Sequence, residues 1–548
     1  MRTVCRALAV LALLVAAPAR GQHDHAAPAT DGVPLFDDLG THHHAITTRV
    51  PEAQRYFDQG LRLVYAFNHD EAIRAFREAA RLDPTCAMAW WGVALASGPN
   101  YNRPLDPARE AVALDAVARG MALADHASPR ERQYLDAVAI RYGKAPGGVR
   151  KALDRAYADA MRKMMQSDPS DLDAAVIYAE ALMVLRPWDL WTLDGHPNPG
   201  TEEIVIVLEG VLQKAPDHPG ANHYYIHAVE ASRHPERALD SARRVGTVMP
   251  GAGHLVHMPS HLYMRTGRWE DAAAANERAI VVDRKYIESE KPGGVYPMMY
   301  YPHNIHFLWS AASMQGRSRD AIGAAREVGG AVAPEMLRAM PMLEYFSPTV
   351  VFGLVRFGRW DDVLEEPAPG DEFVYATGMW HYARGMAFAA KARPDDAARE
   401  QAAVDAAAQA TPIDRIVADN QPARRLLELA SAVLAGERAA RRGDADTAVR
   451  ELRRAVMLED ALPYTEPPPW YFPVRQSLGA ALLAAGRPDE AAAGPRGRPR
   501  RNPHNGWSLY GLAKSLRAEG DAREAAAVDR RFRDAWTRAD VKLTASRF

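Results

Sequence analysis

A short pattern of small residues recurs along this chain at a fixed helical register. Its first copy spans residues 53–84, AQRYFDQGLRLVYAFNHDEAIRAFREAARLDP, and places Gly60, Ala72 and Ala79 where two consecutive helices would cross. Pro84 follows where the second helix would end. Small side chains let antiparallel helices approach closely, and proline stops a helix because it has no backbone N–H. The pattern therefore predicts a helical hairpin as the repeating unit.

The same register recurs from six further starting points. These are Pro219, Gly253, Pro302, Gly378, Leu429 and Phe472. The twentieth position is alanine in every copy: Ala72, Ala238, Ala272, Ala321, Ala397, Ala448 and Ala491. Alanine is frequent and β-branched runs are rare, which also favours helices. We therefore expect an all-α fold in which each hairpin buries its apolar face on its neighbours.

This pattern resembles the tetratricopeptide repeat (TPR) family, and the resemblance covers nearly all of the chain after residue 50. It implies a right-handed α-solenoid of tandem helix-turn-helix units. In that family, the stripe of each first helix at positions 2, 5 and 9 lines a concave groove. Because the family mostly mediates protein interactions, the resemblance also implies a peptide or protein ligand in this groove.

The N-terminus is typical of an export signal. Arg2 and Arg6 precede a short apolar run, ALAVLALLVAA, and the small residues Ala17 and Ala19 offer a cleavage site. Cleavage would leave Cys86 as the one remaining cysteine, so an internal disulfide is excluded. We therefore expect a periplasmic or secreted protein. No apolar run is long enough to span a membrane.

The sequence divides into five predicted segments. They are a signal peptide at 1–21, a flexible His-containing segment at 22–50, TPR-like repeats at 51–185, central His-rich repeats at 186–331 and C-terminal TPR-like repeats at 332–548. His42, His43 and His44 could dock into a groove, but we expect a solvent-exposed linker there. The net charge of −2 gives no attraction to nucleic acid, so a nucleic-acid partner is not expected.

Three departures interrupt the repeats. Residues 186–200 and 286–301 are insertions, and long insertions are more often functional than idle. The second insertion could close over a ligand with Tyr296, Tyr300 or Tyr301. Residues 493–501, AGPRGRPRR, keep the repeat length but contain glycine and proline residues that should break a helix, as a compensated reading-frame error would produce.

Histidines occupy the groove stripe of three consecutive first helices. Positions 2, 5 and 9 in three helices give nine positions in total. Seven of the nine are histidine: His223, His227, His254, His257, His261, His303 and His306. Random placement of 19 histidines in 548 residues predicts fewer than one. Glu230 continues the same face by one turn. Because imidazole is the commonest metal-binding side chain, we predict a transition-metal site formed by these histidines and Glu230.

Two functions remain open for this site. The first is an exported scaffold that binds a transition metal, a peptide, or both in the groove. The second is a metal-dependent enzyme, an oxidase or hydrolase, in which Glu230 is a base or a ligand. Imidazole with an optional carboxylate suits copper, zinc or iron. The sequence contains no phosphate loop, HExxH motif or dinucleotide fingerprint that would indicate another chemistry.

Overall fold

The computed structural model describes residues 32–143, 150–410, 413–414, 416–418, 421–496 and 502–548. The predicted signal peptide lies outside these residues. Residues 35–548 belong to one unit, so all three predicted repeat blocks share it. None of the helices in the described residues is both long enough and apolar enough to cross a membrane.

The N-terminal repeats consist of seven helices. They are α1 (Pro51–Tyr65), α2 (His69–Leu82), α3 (Ala87–Ser97), α4 (Pro107–Ala122), α5 (Pro129–Tyr142), α6 (Arg150–Ser167) and α7 (Leu172–Val184), with a 3₁₀ turn at Ala124–His126. Helices α1 and α2 pack together as the sequence predicts. A β-carbon on Gly60 would lie 2.6 Å from the Phe76 ring, which explains the need for glycine at this crossing.

The central repeats contain eight helices. They are α8 (Thr201–Lys214), α9 (Pro219–Val229), α10 (Leu239–Val248), α11 (Gly253–His257), α12 (Pro259–Arg265), α13 (Trp269–Glu290), α14 (Tyr301–Met314) and α15 (Ser318–Ala331). A 3₁₀ turn at Pro235–Ala238 precedes α10, and a π-helical turn at Tyr296–Tyr300 leads into α14.

The histidine helix predicted from residue 253 is divided into α11 and α12. Pro259 is the first residue of α12 and has no N–H to donate to the preceding turn, so the helix breaks after Met258. The His261 amide then donates to the Met258 carbonyl at 3.2 Å, a tighter turn than in an α-helix. The ring centroid of His257 lies 5.7 Å from that of His254 and, across the break, 4.8 Å from that of His261.

The C-terminal repeats complete the fold. Their helices are α16 (Pro334–Ala339), α17 (Thr349–Arg356), α18 (Trp360–Glu365), α19 (Val374–Ala390), α20 (Pro394–Gln409), α21 (Ala423–Arg441), α22 (Ala445–Asp460), α23 (Arg475–Ala484), α24 (Pro488–Arg496), α25 (Gly506–Glu519) and α26 (Ala522–Ala535). A 3₁₀ turn spans Pro341–Phe346, and the short strands β1 (Val417–Ala418) and β2 (Gln421–Pro422) pair antiparallel. The structure is thus an all-α, TPR-like helical solenoid. Helix α24 continues to Arg496, and residues 497–501 of the anomalous stretch lie outside the described residues.

The C-terminal repeats fold back onto the central ones. The Trp507 indole donates to the Ser313 carbonyl at 2.9 Å, and the Trp269 indole donates to the Pro503 carbonyl at 2.8 Å. These contacts join residues about two hundred positions apart in the chain. They bring a proline-rich segment, residues 463–469, close to the histidine helices.

The segment before α1 differs from the solvent-exposed linker that the sequence predicts. His44 is 4% exposed, and its Nδ1 donates to Asp173 at 2.7 Å. The His42 and His44 carbonyls accept hydrogen bonds from Arg62 and Gln54 of α1. Two interactions hold this segment in place. Side chains of α1 donate to its backbone carbonyls, and His42 and His44 form hydrogen bonds with the buried Asp173 carboxylate.

Candidate metal centre

Six of the seven predicted histidines converge into two sets of three. Set one is His223, His227 and His254, and set two is His257, His261 and His303. Within each set, one ring nitrogen of every side chain lies within 4.8 Å of the other two. The sets draw on α9, α11, α12 and α14, so three consecutive repeats build them together. The repeat register was the signal that identified them.

The seventh histidine, His306, lies outside both sets. Its ring stacks on Trp309 with centroids 4.9 Å apart and an interplanar angle of 4°. The geometry suits aromatic stacking, and His306 lines the same cleft as four of the six clustered histidines. The structure therefore brings six of the seven histidines together and leaves His306 on the wall of the cleft.

Glu230 contacts two histidines from their Nδ1 side. His227 Nδ1 lies 3.0 Å from Glu230 Oε1, and His261 Nδ1 lies 2.5 Å from Oε2. Burial opposes ionisation of Glu230, but its interactions with His261 and His227, including a hydrogen bond with each Nδ1, outweigh burial and lower the pKa to about 2. An ionised carboxylate only accepts hydrogen bonds, so both histidines carry their proton on Nδ1. Their Nε2 atoms therefore present lone pairs.

His257 has the same tautomer for a different reason. Its Nδ1 lies 2.6 Å from Asn276 Oδ1. The amide orientation of Asn276 is fixed because its Nδ2 donates to the Ala272 carbonyl at 2.8 Å. His257 therefore donates from Nδ1 and keeps a lone pair on Nε2. This Nε2 lies 2.9 Å from the Nε2 of His261.

Set one shares part of this arrangement. The Nδ1 of its His254 is buried and has no hydrogen-bond partner among the described residues, so no acceptor fixes the proton there. The Nδ1 of His223 donates to the Tyr65 carbonyl at 2.6 Å, which leaves its Nε2 lone pair facing the Nε2 of His254 at 3.2 Å. The Nε2 of His227 is buried and has no hydrogen-bond partner among the described residues. Polar atoms buried in this way are uncommon and call for an explanation. Each set thus contains one close Nε2–Nε2 pair.

Burial favours the neutral form of His223, His257 and His261 because it removes water from their rings. Five are at most 2% exposed, and His303 is half-buried. Burial, reinforced by the neighbouring histidines, lowers the pKa of His257 and His223 well below its usual value. Burial also lowers the pKa of His261, although Glu230 opposes the shift. Neutral imidazole is the form that binds metal ions.

The clustered histidines form part of the lining of a cleft that opens to solvent. Each set contributes two of its members to this lining: His227, His254, His261 and His303. Much of the remaining lining is aromatic or proline, including Phe346 and residues 467–469, and Glu466 adds a carboxylate. No lysine or arginine is present in the described lining. A cleft with this lining suits a small molecule with apolar groups.

The second insertion contacts the cluster through its tyrosines. Tyr296 donates to Asp283 at 2.8 Å and accepts from the His254 amide at 3.2 Å, so it fixes the start of α11. Tyr300 lines the cleft. Tyr301 instead donates to Glu327 at 2.7 Å. Of the three tyrosines that the sequence suggested near a ligand, Tyr300 is the one that reaches the cleft.

A second histidine cluster surrounds Asp173. This buried carboxylate accepts hydrogen bonds from His42 at 2.9 Å, from His44 at 2.7 Å and from His218 at 3.2 Å. The Nδ1 of His218 accepts from the Ala221 amide, so both ring nitrogens of His218 are already used. The arrangement is a saturated hydrogen-bond network that holds the N-terminal segment. Sequence analysis missed Asp173 because it lies in a helix outside the clear repeats.

Asn276 was also missed, although a signal was present. It is fully buried at position 24 of the repeat from Gly253, where the first repeat has Phe76. A polar residue at a position that packs the core is unusual unless it has a partner. Here the partner is His257.

Several solved structures match this chain at low sequence identity and low TM-score. It shares 14% identity with a human IFIT1 dimer with m7Gppp-AAAA, over 78% of this chain and 87% of that one, with a TM-score of 0.34. It shares 12% identity with the Cut9 and Hcn1 hetero-tetramer of APC/C, over 89% of this chain and 76% of that one, with a TM-score of 0.30. It shares 13% identity with the P58(IPK) TPR domain, over 79% of this chain and 98% of that one, with a TM-score of 0.22. No protein-family model and no curated protein matches the chain. The assignment of a TPR-like fold therefore rests on this chain's own register and helix pairs.

Proposed function

We infer that this protein is a TPR-like scaffold that binds transition-metal ions through histidine Nε2 atoms in its cleft. The observation that carries this proposal is the pair formed by His257 and His261. Their Nε2 atoms lie 2.9 Å apart while both Nδ1 protons are donated elsewhere. Two lone pairs facing each other at this distance repel unless a cation lies between them.

The nitrogen separations also suit a shared ion. Two nitrogens bound at about 2.0–2.1 Å to one ion lie roughly 2.9 Å apart at a right angle and roughly 3.4 Å apart at a tetrahedral angle. The observed distances of 2.9 Å and 3.2 Å fall in this range. Imidazole-rich sites suit copper, zinc and iron, so one of these is the expected ion.

Glu230 supports the site as a positioning residue in this proposal. Both of its oxygens accept from histidine Nδ1 atoms, on the side of each ring opposite Nε2. Such outer carboxylates fix the tautomer and the ring orientation of metal-binding histidines. This geometry favours positioning over the alternative roles of direct ligand or general base.

A metal-dependent enzyme is the second candidate, because four of the histidines line an open cleft together with aromatic side chains. An oxidase or hydrolase would place its substrate against the ion in this cleft. A scaffold would instead present the ion or a peptide to a partner protein. Export to the periplasm or medium remains a prediction from the N-terminal sequence.

The first test is elemental analysis of protein purified without a polyhistidine tag and then dialysed. We expect stoichiometric copper, zinc or iron in the native protein and none in a variant with His227, His257 and His261 replaced by alanine. The matched control replaces three histidines outside both sets, His196, His234 and His381, and should keep its metal. A native protein that binds no ion, even after loading with each metal, excludes the proposal.

A further inference from the structure

We propose that the cluster holds two metal ions, one in each histidine set, and that a small anion entering from the cleft bridges them. This inference rests on the proposed function and specifies its stoichiometry and its ligand. The two sets share no side chain, and each supplies three imidazoles. Three histidines with an open position are a common ligand set for one transition-metal ion.

Each set contains its own close nitrogen pair. In set one the Nε2 atoms of His223 and His254 lie 3.2 Å apart, and in set two those of His257 and His261 lie 2.9 Å apart. A single ion cannot occupy both pairs and retain bonds of about 2.0–2.1 Å to all six rings, because six rings exceed the coordination number these small ions adopt in structural and catalytic sites of this kind. Two ions satisfy both pairs.

The sets adjoin each other. The rings of His227 and His261 have centroids 5.3 Å apart, and those of His254 and His257 have centroids 5.7 Å apart. Glu230 joins the sets directly, because one oxygen contacts His227 of set one and the other contacts His261 of set two. Ions held by adjoining sets lie close enough for one small ligand to reach both.

The charge of this arrangement calls for an anion. All six rings are neutral ligands, and the ionised Glu230 carboxylate supplies one negative charge from behind two of them. Two divalent ions would therefore leave an excess positive charge in a site with little water. Buried charge without a counterion is costly. A bound anion such as hydroxide, chloride or azide lowers this cost.

The cleft supplies the entry path for that anion. Two histidines from each set line it, so both ions would face the same space. An anion that enters from the cleft reaches both sets without displacing a protein ligand. Because the rest of the described lining holds no lysine or arginine, the ions themselves would be the positive charge that attracts it.

The test uses copper(II) and azide as probes on untagged protein. We expect two copper ions per chain, an electron paramagnetic resonance signal well below the copper content because a bridge couples the ions, and saturation at one azide per two copper ions. His223→Gln and His303→Gln each alter one set, and each should retain about one copper ion with its full signal. His196→Gln, outside both sets, should behave as the native protein.

Other outcomes separate this inference from the proposed function. One copper ion in the native protein, lost in both variants, overturns the two-ion arrangement but leaves metal binding intact. Two copper ions with a full signal and one azide per ion overturn the bridge. No copper in the native protein overturns both proposals. Circular dichroism of each variant identifies loss of folding, and the copper and azide ratios of the native protein decide the question without the variants.

Discussion

The hydroxyl of Tyr65 donates to Asp173 at 2.5 Å. The carbonyl of the same tyrosine accepts from His223 at 2.6 Å. The end of α1 thus contacts both the network that holds the N-terminal segment and the proposed metal cluster. Rigid support of this kind is what precise ligand placement requires, because a site that shifts by even 1 Å loses affinity.

Replacing Asp173 by alanine should destabilise the fold. The three histidines and Tyr65 that donate to this carboxylate would lose a buried acceptor. We expect the free energy of unfolding in urea to fall by roughly 3 kcal/mol, since unpaired buried donors cost about 1–3 kcal/mol each and relax in part. Asp136→Ala, at an exposed position of α5, is the matched control. Equal unfolding curves for the two variants would contradict the structural role.

Glu230→Gln should weaken metal binding without unfolding the protein. An amide has one oxygen, so it can accept from His227 or from His261 but not from both as Glu230 does. We expect affinity for zinc or copper to fall about 10–100-fold, as is typical when an outer carboxylate is lost. Competition with a chelator measures this. Glu202→Gln, exposed in α8, should leave the affinity unchanged. Unchanged affinity in Glu230→Gln would remove the positioning role.

His69 should make the stability of the fold sensitive to acid. Burial, and then the nearby Arg109 charge, lowers its pKa from 6.5 to about 3. Between these values the unfolded chain binds a proton that the folded chain does not. The contribution of His69 to stability is therefore constant above pH 6.5 and falls as the pH decreases towards 3, by about 1.4 kcal/mol per pH unit.

Urea unfolding at pH 7, 6 and 5 with chelator present checks this dependence. His69→Gln should flatten the pH dependence by the contribution of this one group. His234→Gln, whose side chain is 71% exposed, should leave the dependence as in the native protein. A His69→Gln variant with the native slope would show that other groups cause the acid sensitivity.

The repeat register predicts the helix pairs and the meeting of six histidines, because both depend on local spacing. Gly60 and Ala72 lie at their crossings as expected. The contacts that set histidine tautomers could not be predicted in this way. Asn276, which accepts from His257, lies in the second helix of its repeat. Glu466 lines the cleft because the C-terminal repeats fold back onto the central ones. Contacts between repeats that are distant in the chain do not follow from local spacing, so one sequence does not predict them.

The N-terminal segment shows a similar limit. Its histidines look like a linker because no periodicity surrounds them, yet His44 is buried against Asp173. Whether a polar segment docks depends on a partner far along the chain, here about 130 positions away. Pro259 is the opposite case. The repeat register predicts one helix from residue 253, although the proline is a local signal for the break between α11 and α12.

Gly253→Ala tests how the second insertion supports the cluster. A β-carbon on Gly253 would lie 1.9 Å from Asp283 Oδ1, so the carboxylate would have to move. Asp283 accepts from Tyr296 at 2.8 Å and from Asn304 at 2.7 Å, and Tyr296 in turn holds the His254 amide. We expect a loss of about 1–3 kcal/mol in the free energy of unfolding, as for other overpacked sites.

The matched control is Gly210→Ala in α8, where a β-carbon would meet no atom within 4 Å. Alanine there should raise the free energy of unfolding by about 0.5–1 kcal/mol, because it restricts the unfolded chain and favours the helix. Since displacement of Tyr296 would also shift His254, Gly253→Ala should bind metal more weakly than Gly210→Ala. Equal metal affinity in two folded variants would show that the insertion supports the fold but not the histidine cluster.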